Sequence, residues 1–417
     1  MFQRIVMTAL RSSKRGILEV CLPGGEILRF GGLGKRPRAR MDVHDENFFR
    51  RSVMSGPIGF AESYLAGEWT TPDLASVLAF FIANAADSPA FDRPGRPRSP
   101  LFGVLTAADR IRHLTRPNSR TLSRKNIGDH YDLSNDFFKL WLDPSMTYSC
   151  GFFATPETSL AEAQTAKYDR LCRKLAIGPH HHILEIGTGW GGFSMHAAAE
   201  FGCRVTTTTI SAEQHAEATE RVARAGLGDR IRVLLEDYRD LRGQFDRVVS
   251  IEMIEAVGDA YVDDYFQKIS RLLLPDGLAG IQAILCPDQR YEILRAGVDF
   301  IQKHIFPGSL LMSNARILRA TARTEGLNLH DFEDMGAHYA RTLHLWSRAF
   351  ESQIDAVRAL GFDDVFIRKW RYYLAYCEAA FAMRFITVAQ LVFTNPGNLS
   401  LNPDSPIADF KYAKPLR

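Results

Sequence analysis

The sequence predicts an α/β protein: a parallel sheet with helices on both faces, preceded by a small α+β module. From about residue 163, helical and strand-like segments take turns (AQTAKYDRLCRKL, HILEIGT, GGFSMHAAAEFG, RVTTTTIS, AEQHAEATERVARAG, IRVLLEDY, FDRVVSIEMI, DYFQKISRLLLPDG, LAGIQAIL), and that alternation builds a sheet covered on both sides. A Gly-rich turn directly after one strand, in HILEIGTGWGGF, marks the ligand-binding end of such a sheet. At 417 residues and 46% apolar composition, the chain can fill one large core or two domains.

The segments before the alternation read differently. From about residue 16 to 31, GILEVCLPGGEILRF alternates apolar and polar residues around a PGG turn, which predicts a hairpin and a β-like opening. Helical patterning follows in DENFFRRSVMSG and PDLASVLAFFIANAA, with Asp45 and Pro72-Asp73 as N-terminal signals. The predicted division is a 1–90 α+β accessory domain, a 91–125 basic linker and a 126–417 α/β domain that carries the Gly-rich turn. Between Arg93 and Lys125 there are nine Lys/Arg and one Asp, and the prolines there include those at 97, 100 and 117. Such a run is ordinarily a solvated linker; contact with anionic lipid headgroups, at about 1 kcal/mol per basic residue near the surface, is the other reading.

Composition excludes several classes. A net charge of +3 gives no argument for nucleic acid as a partner, though it is compatible with an anionic membrane surface. The six cysteines form no CxxC pair and no zinc-ligand spacing, and with no signal peptide in view they predict a reducing, cytoplasmic setting. The longest apolar stretch, at 74–86, is too short to span a bilayer and is broken by Asn84. His180, His181 and His182 precede a strand and read as a solvent-facing turn, since three consecutive histidines cannot face one metal.

Gly187, Gly189 and Gly192 satisfy GxGxxG, a pattern that nicotinamide enzymes share. Three features favour S-adenosylmethionine instead. Glu185, two residues before the first glycine, suits an ammonium group. TTTTISAEQ offers Thr209, Ser211 and Gln214 but no acid at the strand tip to grip a dinucleotide ribose. EDY at 236–238 ends the third strand with Asp237, placed for an adenine amino group, and Tyr238, able to stack on the ring.

With these residues in hand, HYDLSNDFFKLWLDPSMTYSCGFF, LEIGTGWGG, TISAEQ, EDYRDL, SIEMIEAVG, IFPGSLL and HYARTLHLW occur in an order that resembles the cyclopropane-fatty-acyl-phospholipid synthases, the mycolic acid cyclopropane synthases and related fatty-acyl methyltransferases. The motifs span residues from about 120 to 395, and GPIGFAESYLAGEW at 56–69 is similar to the extra domain of the longer bacterial members. The resemblance implies a Rossmann-like class I methyltransferase sheet. It also implies methyl transfer from S-adenosylmethionine to the cis double bond of an unsaturated phospholipid acyl chain, by an enzyme peripherally associated with the inner membrane surface. A homodimer fits the extra N-terminal module.

The resemblance further implies a bicarbonate ion that removes a proton from the methylated cation, held by Cys150, Glu255, Tyr339 and the backbone of Ile284. A negative Glu255 would also steady the cation. The family's usual histidine is replaced here by Gln282, whose amide donates a hydrogen bond but carries no proton as imidazole does. Ring closure and a methyl-branched or methylated alkene product both stay open. Tyr131, Tyr148 and Ser149 would line the cofactor and substrate region, and Gly187, Gly189, Thr209, Gln214, Asp237 and Tyr238 the cofactor. Glu252 receives no role and reads as a satisfied polar residue near a strand end. Two further readings remain, a small-molecule methyltransferase on the same fold and a non-catalytic lipid-binding homologue.

Overall fold

The computed structural model describes residues 1–85 and 134–401. The chain opens with a helix, α1 (Phe2–Arg11), and not with the predicted β-like start; its inward face carries Met7 and Leu10. The hairpin follows as β1 (Arg15–Cys21) and β2 (Ile27–Gly31). β1 turns Leu18 and Val20 inward between more exposed neighbours, the period-2 burial of a sheet with one wet face. β3 (Leu33–Val43) then runs parallel to β1, a pairing the sequence hides because GKRPRAR offers little apolar alternation before Met41 and Val43. α2 (Asn47–Leu65), β4 (Trp69–Thr70) and α3 (Leu74–Asn84) complete a four-stranded sheet of order β2-β1-β3-β4 with its helices. Asp73 caps α3 by accepting the Ser76 N–H at 3.0 Å.

The second sheet has seven strands. In chain order its elements are α4 (Asn135–Lys139), α5 (Leu160–Lys174), β5 (His182–Ile186), α6 (Gly192–Phe201), β6 (Arg204–Thr209), α7 (Ala212–Arg224), β7 (Ile231–Leu235), β8 (Phe245–Ile251), α8 (Val262–Leu272) and β9 (Leu273–Leu285). After these come α9 (Asp288–Ala296), α10 (Phe300–His304), α11 (Asn314–Thr321), β10 (Asn328–Asp334), α12 (Gly336–Ser352), α13 (Ile354–Ala359), α14 (Asp364–Ala382) and β11 (Thr387–Thr394). The strand order is β10-β11-β9-β8-β5-β6-β7. β9, β8, β5, β6 and β7 are parallel, while β11 runs antiparallel to both β9 and β10, so the sheet is mixed. The reversal has a structural cause. β11 enters beside Leu285, at the carboxyl end of β9, after the helical layer α12–α14 has crossed over that end of the sheet.

Strand order reverses between β5 and β8, which opens a crevice at their carboxyl ends, the usual ligand position in such sheets. The helical layer covers it. Trp141, Trp346 and Trp370 are almost wholly buried and pack ring against ring, with Trp141–Trp346 at 5.7 Å and Trp141–Trp370 at 5.5 Å. The same apolar core continues into the N-terminal sheet through α2, α3 and α14. Tyr64 meets Tyr372 at 5.9 Å, and Glu62 on α2 takes Lys303 at 2.9 Å and His304 at 3.2 Å on α10.

Candidate active site

β5 ends at Ile186, and Gly187 (φ 100°), Gly189 (φ 52°) and Gly191 (φ 86°) turn the chain into α6 through left-handed conformations open to glycine. A side chain at Gly187 would sit 3.2 Å from Met253 Cγ, so glycine keeps this floor low. Glu185 is buried behind the turn and accepts the hydroxyls of Ser194 and, at 2.6 Å, Thr207; burial pushes its carboxyl up to about 7. Thr209 donates to Gln214 Oε1 at 2.8 Å, and Ser211 caps α7. Asp237, predicted for an adenine amino group, is gripped by the Arg239 guanidinium through Nε at 2.9 Å and Nη2 at 2.6 Å. Tyr238 stands edge-on to Tyr265 at 5.6 Å. Glu185 beside a Gly-rich turn fits an ammonium-bearing cofactor such as S-adenosylmethionine better than a diphosphate.

The carboxyl end of β8 holds the second half of the site. Glu252 follows directly, at a left-handed φ of 49° that few non-glycine residues adopt. Its Oε1 accepts the Cys150 N–H at 2.9 Å and Gln282 Nε2 at 2.8 Å, and its Oε2 accepts the Tyr339 hydroxyl at 2.5 Å. Gln390 Nε2 donates to Gln282 Oε1 at 3.2 Å, which fixes the Gln282 amide with its N–H toward Glu252. Glu255 lies in a short 3-10 turn (Ile254–Ala256), where Oε1 accepts the Ile284 N–H at 2.5 Å and Oε2 is buried without a partner.

These contacts divide the charge between the two glutamates. Burial and the neighbouring Glu252 push Glu255 up to about 8, so near neutral pH it is mostly a neutral acid and not the predicted anion. Burial raises Glu252 as well, but Tyr339, the Cys150 N–H, the Lys167 charge and Gln282 all oppose that rise. Of the pair, Glu252 is the one ringed by donors that favour its ionised form. Lys167 on α5 is fully buried; it donates to Ser149 Oγ at 2.6 Å, and burial pushes it down to about 8. The Cys150 thiol faces the Gly151 carbonyl at 3.2 Å, and burial holds it well above the ordinary thiol range. Cys150 meets the carboxylate through its backbone.

One cavity of about 360 Å³ joins both halves. Gly187, Asp237 and Tyr238 border one part of it, and Phe306, Leu310, Tyr373, Phe381 and Phe385 wall another. Tyr148 belongs to the aromatic wall, its hydroxyl 2.8 Å from that of Tyr373. The C-terminal aromatic run divides its labour: Trp370 is core, while Tyr373 and Phe381 face the cavity.

Of the predicted site residues, Cys150, Gln282 and Tyr339 converge on Glu252, and Ile284 meets Glu255. Tyr131 and the basic stretch of residues 93–125 lie outside the described residues. Two residues escaped the sequence reading. Glu252, given no role, is the hub of the cluster, and its signal was a carboxylate at a buried strand end. Lys167 lay inside an ordinary amphipathic helix and carried no signal. Of the groups implied for bicarbonate, the Cys150 N–H and the Tyr339 hydroxyl are engaged by Glu252 and the Ile284 N–H by Glu255, which leaves Glu255 Oε2 unpartnered; one buried acid oxygen without those donors does not fit a further bound anion.

Comparison with known proteins agrees with this architecture. The family model for mycolic acid cyclopropane synthetase matches residues 118–391. The chain is 43% identical to tuberculostearic acid methyltransferase UfaA1 of Mycobacterium tuberculosis over 84% of this chain and 81% of that protein. It is 33% identical to the cyclopropane-fatty-acyl-phospholipid synthase of Escherichia coli K12 over 88% and 92% of the two chains. The solved structure of mycolic acid cyclopropane synthase CmaA1 complexed with SAH and CTAB superposes with a TM-score of 0.61 at 31% identity, covering 65% of this chain and 97% of that one. A cleft built to take S-adenosylmethionine at the carboxyl ends of β5, β6 and β7, beside buried acids at the end of β8, thus belongs to a member of the mycolic acid cyclopropane synthetase family, an S-adenosylmethionine-dependent methyltransferase.

Proposed function

We propose that this chain methylates the cis double bond of unsaturated acyl chains carried by phospholipids, working at a membrane surface. The observation that carries the reading is the single cavity in which a cofactor cleft, an aromatic-walled channel and two buried glutamates meet. S-adenosylmethionine supplies an electrophilic methyl group when bound. Gly187, Gly189 and Glu185 would hold it at the end of β5, with Thr209, Gln214, Asp237 and Tyr238 along the neighbouring strand ends. Tyr148, Phe306, Tyr373 and Phe381 would hold an extended hydrocarbon and keep water away from the cation that methylation leaves.

Between the two products open to such a cation, a ring-free, methyl-branched or methylene-bearing chain is favoured. Gln282 in place of an imidazole, and the similarity to a tuberculostearic acid methyltransferase, point that way. Retention of Cys150, Glu255 and Tyr339 and the similarity to a cyclopropane synthase support ring closure as the second reading. No helix among the described residues is long and apolar enough to cross a membrane, which fits a protein that visits the surface from outside the bilayer.

The test is incubation of purified protein with liposomes of cis-unsaturated phospholipid and methyl-deuterated S-adenosylmethionine, followed by mass spectrometry of the released fatty acids. A labelled ring-free chain carries the reading. A labelled cyclopropane moves it to the second, and no label in lipid removes both.

A further inference from the structure

We propose that Glu252 is a resident catalytic base that occupies the place of a borrowed anion, so that proton removal by this enzyme needs no bicarbonate. The inference rests on the acyl-chain reading above for its substrate, but its structural basis is separate.

Three donors from three distant parts of the chain, the Cys150 N–H, Gln282 Nε2 and the Tyr339 hydroxyl, all end on one carboxylate, at 2.9, 2.8 and 2.5 Å. A set of convergent donors is what a small anion would require. Here a side chain fills it. Glu252 reaches the spot only because its backbone takes a left-handed φ of 49°, a conformation that costs a non-glycine residue of order 1–3 kcal/mol and therefore has to be compensated by what the side chain does there. The charged and titratable groups around it are Lys167, Glu255, Tyr339 and Cys150. Among them Lys167 is the cation, and the Cys150 N–H, Gln282 Nε2 and Tyr339 hydroxyl all donate to Glu252, which is the acceptor at the centre of the cluster.

The step balances without another reactant. After methyl transfer the acyl chain bears a carbocation. A C–H bond on a carbon next to the cationic centre breaks, its electron pair becomes the π bond of a new alkene, and the proton goes to a Glu252 oxygen. A positive chain and a carboxylate become a neutral chain and a carboxylic acid, and the acid returns its proton to water when the cavity empties. No oxidant or reductant is consumed.

The left-handed backbone suggests the variant. Glu252→Gly relaxes the backbone and removes the carboxylate, leaving the three donors facing a space of carboxylate size. Carbon-13 NMR of bicarbonate with protein saturated with S-adenosylhomocysteine is expected to show no bound anion in the wild type and one in Glu252→Gly. Transfer by the wild type is expected to be the same in CO2-stripped and bicarbonate-supplemented buffer. Glu252→Gly should lose about 100-fold, the usual weight of a general base, and regain part of it with bicarbonate or formate. Glu252→Gln, which keeps the place filled but takes no proton, should lose as much and not respond to either. Bicarbonate binding to the wild type, a bicarbonate requirement of the wild type, or full activity of Glu252→Gln overturns the proposal. If the wild type methylates no acyl chain at all, the substrate reading fails, and the anion-binding comparison still decides the role of Glu252.

Discussion

Tyr339 on α12 and Glu252 at the end of β8 lie 2.5 Å apart, oxygen to oxygen, although 87 positions separate them in the chain. The contact ties the helical cover to the sheet at the point where the two halves of the cavity meet. A hydrogen bond to a charged group contributes roughly 1.5–3 kcal/mol, so Tyr339→Phe should lower kcat/KM by about tenfold to a hundredfold. Affinity for S-adenosylhomocysteine, read by calorimetry, should be unchanged, because Tyr339 stands apart from the Gly-rich turn.

Glu255 makes stability depend on pH. Its folded pKa, pushed up to about 8, lies above the ordinary glutamate value of 4.5, so the folded state holds a proton that the unfolded state releases. The stabilisation is fully present below about 4.5 and is lost as pH rises through about 8. Glu255→Gln keeps an acceptor for the Ile284 N–H and removes this titration. Melting temperatures of wild type and variant should therefore diverge between pH 5 and 8, with the variant gaining toward the alkaline side; parallel curves would assign Glu255 an ordinary pKa.

Gly187→Ala should weaken cofactor binding by about tenfold or more, since the new methyl meets Met253 at 3.2 Å and the backbone must hold φ at 100°, a combination of crowding and strain worth on the order of 1–3 kcal/mol. Titration with S-adenosylhomocysteine reads this directly. Gly189→Ala has no neighbour within 4 Å and should lose less.

Asp73→Ala removes the cap of α3 and should cost about 1 kcal/mol of stability, visible as a lower melting temperature. Turnover of the folded protein should not change, because the cap lies in the N-terminal module.

The order of strands and helices after residue 163 is legible because period-2 and period-3.6 patterns alternate with clear turn signals. The antiparallel entry of β11 is not, since nothing in TVAQLVFT says from which side the chain arrives. β3 escapes for a different reason: Arg36, Arg38 and Arg40 face water, and among its described side chains Met41 and Val43 record its burial. At the site, Glu185 announces itself at the end of a strand, and Gly187, Gly189 and Asp237 through their place after strands. That Asp237 would be occupied by Arg239, and that Glu252 would gather Cys150, Gln282 and Tyr339, depends on side-chain directions that spacing along one chain does not encode. Lys167 shows the limit most plainly, for a buried lysine and an exposed one look identical in an amphipathic helix.

α14 faces two ways. Tyr372 meets Tyr64 of the N-terminal module, while its neighbour Tyr373 borders the cavity. The CmaA1 structure aligns over 97% of its own length with only 65% of this chain. In this protein the cavity wall is buttressed from behind by the four-stranded sheet and its helices, so trimming the first 85 residues would strip an aromatic layer from the back of the very helix that borders the cavity.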